Sequence, residues 1–264
     1  MTRHDKRSTP ALPTYDARQL TGLLAILPDI DTVELKLTIP EESQRSVTEA
    51  LDIDPLDATI RQVAYFDTPD LRLSAAGVVV RARRTQRKPA DLTVKLRPML
   101  PDAAPVDLRD HDGFKVEVDA SPAGYVCSCS LTTELADGKG RKLLAGSRPL
   151  DGLLDHAQRG LLRDRLPDGV GLEHLIALGP VHLLKTKFRP DGLRRPMVAE
   201  LWMLPDGTRI LELSTKASAP AAFQAAAETK VFLATRGIDL SAPQEAKTSV
   251  ALATLTRGRN EGGP

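Results

Sequence analysis

The sequence predicts an α+β domain built on an eight-stranded antiparallel sheet or barrel, with helices packed around it. Three observations carry that expectation. Eight short segments alternate apolar and polar residues, the period of a half-buried strand. Helical patterns fall between them at intervals. The 264 residues, 41% of them hydrophobic, suffice for one large β-rich core, and no internal repeat divides them.

The elements follow in chain order. Met1 to Tyr15 reads as a disordered arm, rich in Pro, Thr and charge. Asp16 is placed to cap a short helix through Leu27, which Pro28 ends. "TVELKLTI" (32–39) alternates strictly and is the first strand; Pro40 and two acids then open a helix. "IRQVAYFDT", "GVVVRARR" and "DLTVKLRP" are three further strands, with Gly77 at the turn between the first two. Residues 98–113, rich in Pro and Asp, read as a long mobile loop before the fifth strand, "FKVEVD". Residues 130–178 read as mostly helical, broken at "LPDGVG". "HLLKTKFRP", "MVAELWML" and "TRILELSTK" supply three last strands, and Pro220 opens an Ala-rich helix that Gly237 closes. The expected division is an arm with a short helix over 1–28, one domain over 29–255 and a disordered tail over 256–264.

Composition narrows the function. A formal net charge of +1 and 3% aromatic residues fit poorly with a surface that stacks nucleic-acid bases. Cys127 and Cys129, one residue apart, are too close for an unstrained disulfide and lack the other ligands of a zinc site, so they read as reduced thiols. The N-terminus has no apolar stretch resembling a signal peptide, and "LTGLLAIL" is too short to span a bilayer. A cytoplasmic, soluble protein without membrane partners is expected. His111, His156, His174 and His182 are scattered and read as structural or loop residues.

Residues two apart share a strand face. Sorting the strands on that rule gives Glu34 with Lys36, Arg81 with Arg83, and Lys95 with Arg97. It also gives Lys115, Glu117 and Asp119; Lys185, Lys187 and Arg189; Glu200 with Trp202; and Glu212, Ser214 and Lys216. A solvated sheet face is the plain explanation for any one strand. Across all of them, hydroxyl and amide residues are scarce, and like charges such as Arg81 and Arg83 repel unless an anion lies between them. A closed barrel with its charged face inward accounts for both, and such a lumen suits a compact polyanion with divalent metal.

The same residues carry a resemblance. "TVELK" (32–36) is similar to an E-x-E-x-K motif. "YFDTPDLRLSAAGVVVRARR" (65–84) is similar to a YFDTPDxxL…G…LRxR segment, and "LTVKLR" to LTxKxR. "KVEVD", "KTKFR" and the pair Glu200 and Glu212 continue the pattern, so the likeness runs from about Thr32 to Leu252. The chain thus resembles the CYTH domain, the triphosphate tunnel metalloenzyme family of class IV adenylate cyclases, thiamine triphosphatases and inorganic triphosphatases.

That resemblance implies an eight-stranded antiparallel tunnel holding a triphosphate. By it, Lys36, Arg81, Arg83, Lys95, Lys185 and Lys187 bind phosphate, joined by Arg97, Arg189 and Lys216. Glu34, Glu200 and Glu212 would hold Mg²⁺ or Mn²⁺, with Glu117 and Asp119 as further candidates. Glu34, Lys36 and Glu212 are the implied catalytic set. Thr32 replaces the first glutamate of the motif, and Ser214 stands where a second carboxylate usually sits beside Glu212. Up to two charges are thus missing from the metal site. The implied function is metal-dependent hydrolysis of inorganic triphosphate or a triphosphorylated organic substrate. The rivals are a nucleotidyl cyclase on the same tunnel and a non-catalytic module that binds polyphosphate or nucleotide.

Overall fold

The computed structural model describes residues 15–136 and 138–261, so most of the expected arm, 1–14, lies outside the described residues. Nine strands close into a barrel: β1 (Thr32–Ile39), β2 (Thr59–Asp67), β3 (Val78–Thr85), β4 (Ala90–Leu96), β5 (Phe114–Ser121), β6 (Gly124–Leu135), β7 (Ile176–Phe188), β8 (Met197–Met203) and β9 (Arg209–Ala217). Their order around the barrel is β1-β5-β6-β4-β3-β2-β7-β8-β9, and β9 returns to β1. The expectation of eight antiparallel strands is corrected twice. The ninth strand is β6, and β1 runs parallel to β5, with Glu34 opposite Asp119.

β6 occupies residues 124–135, so the region read as helical from residue 130 begins as strand. Its alternation is Cys against Ser rather than apolar against charged. Cys127, Cys129 and Leu131 join the outer core, while Ser130 and Thr132 pair with Lys95 and Thr93 on the inner face. The inner face is therefore less short of hydroxyl groups than the other strands suggest. Both cysteines are free and buried.

Among the described residues seven α-helices accompany the barrel. α1 (Ala17–Ile26) starts at Asp16, whose side chain accepts from Gln19 N while Gln19 Oε1 accepts from Asp16 N. α2 (Gln44–Ala50) follows a 3-10 turn, and α3 (Arg72–Ala75) precedes Gly77. A Cβ on Gly77 would sit 2.6 Å from Arg97 O at a φ of +75°, so the close approach of β3 to the end of β4 needs glycine. α4 (Lys139–Leu144) and α5 (His156–Arg163) cover the outer face of β2–β6 through Leu143, Leu144, Leu161 and Leu162. α6 (Ala222–Thr235) packs Phe232 and Leu233 on Leu37, Met197 and Leu213.

α7 (Lys247–Glu261) overlaps the tail expected to be disordered from residue 256; residues 256–261 continue this helix. Ala251, Leu252 and Leu255 pack among Val63, Tyr65, Leu183, Trp202 and Ile210. Those residues share strand faces with the inner charges, because Val63 pairs with Arg83 and Trp202 with Leu183. Part of the interior is thus apolar and seats a helix, which strand alternation alone did not predict. The 98–113 segment, expected to be mobile, holds two 3-10 turns and buries Met99, Ala104 and Leu108. Arg109 fastens it through Pro101 O at 2.8 Å and Asp29 O at 3.2 Å. Among the described residues no helix is long and apolar enough to cross a membrane.

Candidate functional site

Strand register assembles the inner charges. Lys36 lies opposite Ser214, Glu34 opposite Lys216, Arg83 opposite Asp91, Lys185 opposite Glu200, and Glu200 opposite Glu212. Four groups of ion pairs result.

The first surrounds Asp119. Its carboxylate is 2.9 Å from Lys36 Nζ, 3.1 Å from Arg97 Nη1 and 3.5 Å from Lys95 Nζ. Burial alone would raise the Asp119 pKa, but Lys36, Lys95 and Arg97 together hold it well below the usual carboxylate range. Burial lowers the Lys95 pKa and Asp119 only partly restores it.

The second joins Glu117 to Lys216 at 2.8 Å, with Thr32 donating to Glu117 at 2.9 Å. Glu34 is held more loosely, 3.6 Å from Lys36 and 3.9 Å from Lys216. The third joins Arg83 Nε to Asp91 at 2.8 Å.

The fourth is centred on Glu200 and Glu212. Lys247 Nζ lies 2.6 Å from each, and Arg61 reaches Glu200 at 3.1 Å. Trp202 Nε1 donates to Glu200 at 3.3 Å. Burial opposes ionisation of Glu200, yet Lys247, Lys185 and Arg61 depress its pKa far below normal.

Arg81 has no acidic partner among the described residues, and its Nε is buried without a hydrogen-bond acceptor. The Arg61 Nε is buried in the same condition. Lys185 makes no ion pair within 4 Å among the described residues; burial and the nearby Arg61 push its pKa down to about 8. Arg61, Arg81, Arg83 and Lys185 thus crowd four cations around two carboxylates, Glu200 and Asp91.

Beside the first and fourth groups lies a cavity of about 560 Å³, lined by Lys36, Thr38, Arg97, Asp119, Glu212 and Lys247 among others. Lys187 and Arg189 are exposed and take no part in the buried ion pairs. Arg61, Asp91 and Lys247 are the inner residues that sequence reasoning passed over. Asp91 carried a signal, since it shares a strand face with Lys95 and Arg97, whereas Arg61 shares its face with Val63 and Tyr65 and with none of those charges. Lys247 carried none, because only the fold brings residue 247 against β8 and β9. The four histidines make local or surface contacts or lie outside the lumen; His182, for example, faces Gln62 at 3.0 Å.

The metal expectation meets this donor set poorly. Glu34, Glu117, Asp119, Glu200 and Glu212 are each engaged by a cation, and Ser214 and Thr32 add no charge. Among the described residues no three Asp, Glu, His or Cys side chains converge as a metal cage.

A closed barrel ringed by helices, with basic and acidic side chains inside beside the apolar part that seats α7, has the architecture of the triphosphate tunnel proteins. No protein-family model and no curated protein matches the chain. Solved structures do. A protein from Hippeastrum, named as an adenylyl cyclase and described as having a dominant triphosphatase activity, matches with a TM-score of 0.60 and 15% identity, over 85% of this chain and 96% of that one. A protein from Bacillus halodurans, named as an adenylate cyclase, matches with a TM-score of 0.58 and 16% identity, over 84% of this chain and 96% of that one. At such identities the likeness is one of fold. The chain has the tunnel fold of the CYTH proteins, as the motif resemblance implied.

Proposed function

We propose that the tunnel binds a linear triphosphate, inorganic or carrying an organic group, and hydrolyses its terminal phosphoanhydride. The observation that carries this reading is the cationic excess of the cluster of Arg61, Arg81, Arg83 and Lys185, in which only Arg61 and Arg83 meet a carboxylate among the described residues and two guanidinium Nε groups are buried and unbonded. Buried donors without acceptors are costly, and like charges this close repel. A phosphate chain supplies both the acceptors and the negative charge. Guanidinium forks suit its paired oxygens.

In the reaction, water attacks the terminal phosphorus and the bond to the bridging oxygen breaks, releasing phosphate and diphosphate. The cations stabilise charge on the leaving oxygen. Glu34, the most loosely held inner carboxylate, is our candidate to accept the proton of the attacking water. No step is assigned to a metal, given the engaged carboxylates.

The tunnel fold shared with the Hippeastrum protein, whose dominant activity is described as triphosphatase, supports the reading. A second reading, a binding module without turnover, is favoured by the close hold of Lys247 on both Glu200 and Glu212. The deciding experiment incubates the protein with inorganic triphosphate, ATP and thiamine triphosphate, with and without Mg²⁺ or Mn²⁺. Phosphate, diphosphate and cyclic AMP are measured. Phosphate release from any of the three supports hydrolysis. Tight binding without turnover selects the binding module, and cyclic AMP selects a cyclase.

A further inference from the structure

Glu200 and Glu212 face each other across β8 and β9, and the cation between them belongs to the protein. Lys247 Nζ is 2.6 Å from Glu200 Oε2 and 2.6 Å from Glu212 Oε1, the lengths of charge-assisted hydrogen bonds. It also stands 5.2 Å from the centroid of the Trp202 ring, within cation–π range.

The segment carrying Lys247 is fixed on both sides. Just before it, Gln244 accepts from Thr38 N at 2.7 Å and donates to Thr38 O at 3.2 Å, as an added strand residue would. Just after it, Thr248 lies beside the buried Tyr65 hydroxyl, and Ala251, Leu252 and Leu255 fill the apolar part of the interior. Lys247 is held in place by the packing of α7 as well as by its own two bonds.

We propose that Lys247 is the resident cation of the Glu200–Glu212 pair, occupying the place of a bridging divalent ion, so that triphosphate binding by this tunnel needs no divalent metal. The proposal rests on the triphosphate reading above and deepens it. Charge is the first argument. Lys247 and Arg61 already match the two carboxylates, so a divalent ion added to the pair would leave two uncompensated positive charges among largely buried side chains.

Ligand supply is the second argument. Mg²⁺ demands near-octahedral oxygen, yet Thr32 and Ser214 stand where further carboxylates would serve, and the Thr32 hydroxyl is spent on Glu117.

The test uses the full chain as wild type, Lys247→Gln and Lys247→Arg. Free Mn²⁺ is followed by electron paramagnetic resonance, and inorganic triphosphate binding by calorimetry in EDTA. Wild type and Lys247→Arg are expected to bind triphosphate in EDTA and to take up no Mn²⁺ below millimolar concentration. Lys247→Gln, with its carboxylates released, should bind Mn²⁺ at least about tenfold more tightly. Mn²⁺ affinity unchanged by Lys247→Gln overturns the proposal, as does wild-type triphosphate binding that requires a divalent ion. If no variant binds triphosphate but the Mn²⁺ contrast holds, the triphosphate reading fails and the resident cation stands. Should Lys247→Gln not fold, wild type decides alone: a submillimolar Mn²⁺ site overturns the proposal, and EDTA-resistant triphosphate binding without one supports it.

Discussion

Asp119 Oδ1 lies 2.9 Å from Lys36 Nζ, tying together the side chains of the parallel strands β5 and β1. The same carboxylate holds Lys95 and Arg97, so one buried anion serves three cations. Asp119→Asn should therefore cost about 3–5 kcal/mol of stability in the free protein, the scale for breaking a buried pair from one side. Added triphosphate should recover more stability in the variant than in wild type, since the freed cations gain a new anion. The folded-state pKa of Asp119 lies below its unfolded value near 3.8, so its contribution is present above about pH 4 and is lost as pH falls. Thermal unfolding of both proteins, with and without triphosphate, from about pH 2 to about pH 7, a window that spans the ordinary Asp pKa and extends below it, checks this. Equal melting temperatures at neutral pH would exclude the role.

Lys185 gives a second pH dependence, in which ionisation is a cost and not a gain. Its pKa of about 8 in the folded protein lies below the 10.5 of a free lysine. Charging it costs stability below pH 8, and that cost disappears as pH rises from 8 towards 10.5. Anion binding needs the charged form, so triphosphate affinity should fall as pH rises through about 8. Lys185→Met should bind more weakly at neutral pH, lose this pH dependence, and melt at a higher temperature than wild type. A variant that is both weaker in binding and less stable would contradict the assignment.

Arg81 and Arg83, two residues apart on one face, should behave differently. Each loses a charge-assisted contact to phosphate when changed to alanine, worth roughly 1.5–3 kcal/mol of triphosphate affinity. Arg83 is bonded to Asp91 at 2.8 Å, so Arg83→Ala also strands a half-buried carboxylate and should destabilise the free protein. Arg81 has no acidic partner among the described residues, so Arg81→Ala should bind weakly yet melt at or above the wild-type temperature. Calorimetry beside differential scanning fluorimetry separates the two. Unchanged triphosphate binding in the double variant would remove the cluster from the site.

The contrast between these arginines shows what was legible in advance. Strand alternation placed both on one face, and it placed Lys36, Lys95, Glu117, Asp119, Glu200 and Glu212 on faces that the barrel brings together. It gave β1 its observed bounds and gave β3, β4 and β8 within a residue or two. It missed β6 because "CSCSLTTEL" alternates small residues with hydroxyls, a weak contrast in hydropathy. Pairing lay beyond it. Which carboxylate neutralises which cation depends on strand order and on α7, and Lys247 reaches Glu212 from 35 positions away in sequence. The parallel β1–β5 contact likewise follows from how the barrel closes and not from either strand's pattern.

The most distinctive motif, "YFDTPD", yields a last prediction, because its aspartate turns out to serve the fold. Asp67 is buried at 2% exposure, where one oxygen accepts from Thr68 N at 2.7 Å and Leu73 N at 2.8 Å and the other from Ser74 N at 2.9 Å. Thr68 extends the knot, accepting from Arg72 N and donating to Asp70. The carboxylate thus satisfies the first amides of α3 and lets the chain reverse between β2 and β3, which sets the register that aligns Arg81 with Tyr65. Asp67→Ala would leave three N–H groups unbonded, two of them buried and the third partly so, at about 1 kcal/mol or more each. At about 2–4 °C per kcal/mol for a chain of this size, the melting temperature should fall by roughly 6–12 °C. Asp67→Asn keeps one acceptor oxygen and should lose about half as much. Triphosphate affinity of the folded variants, measured well below their melting temperatures, should match wild type. A large loss of affinity in a variant that melts like wild type would instead make Asp67 part of the binding site.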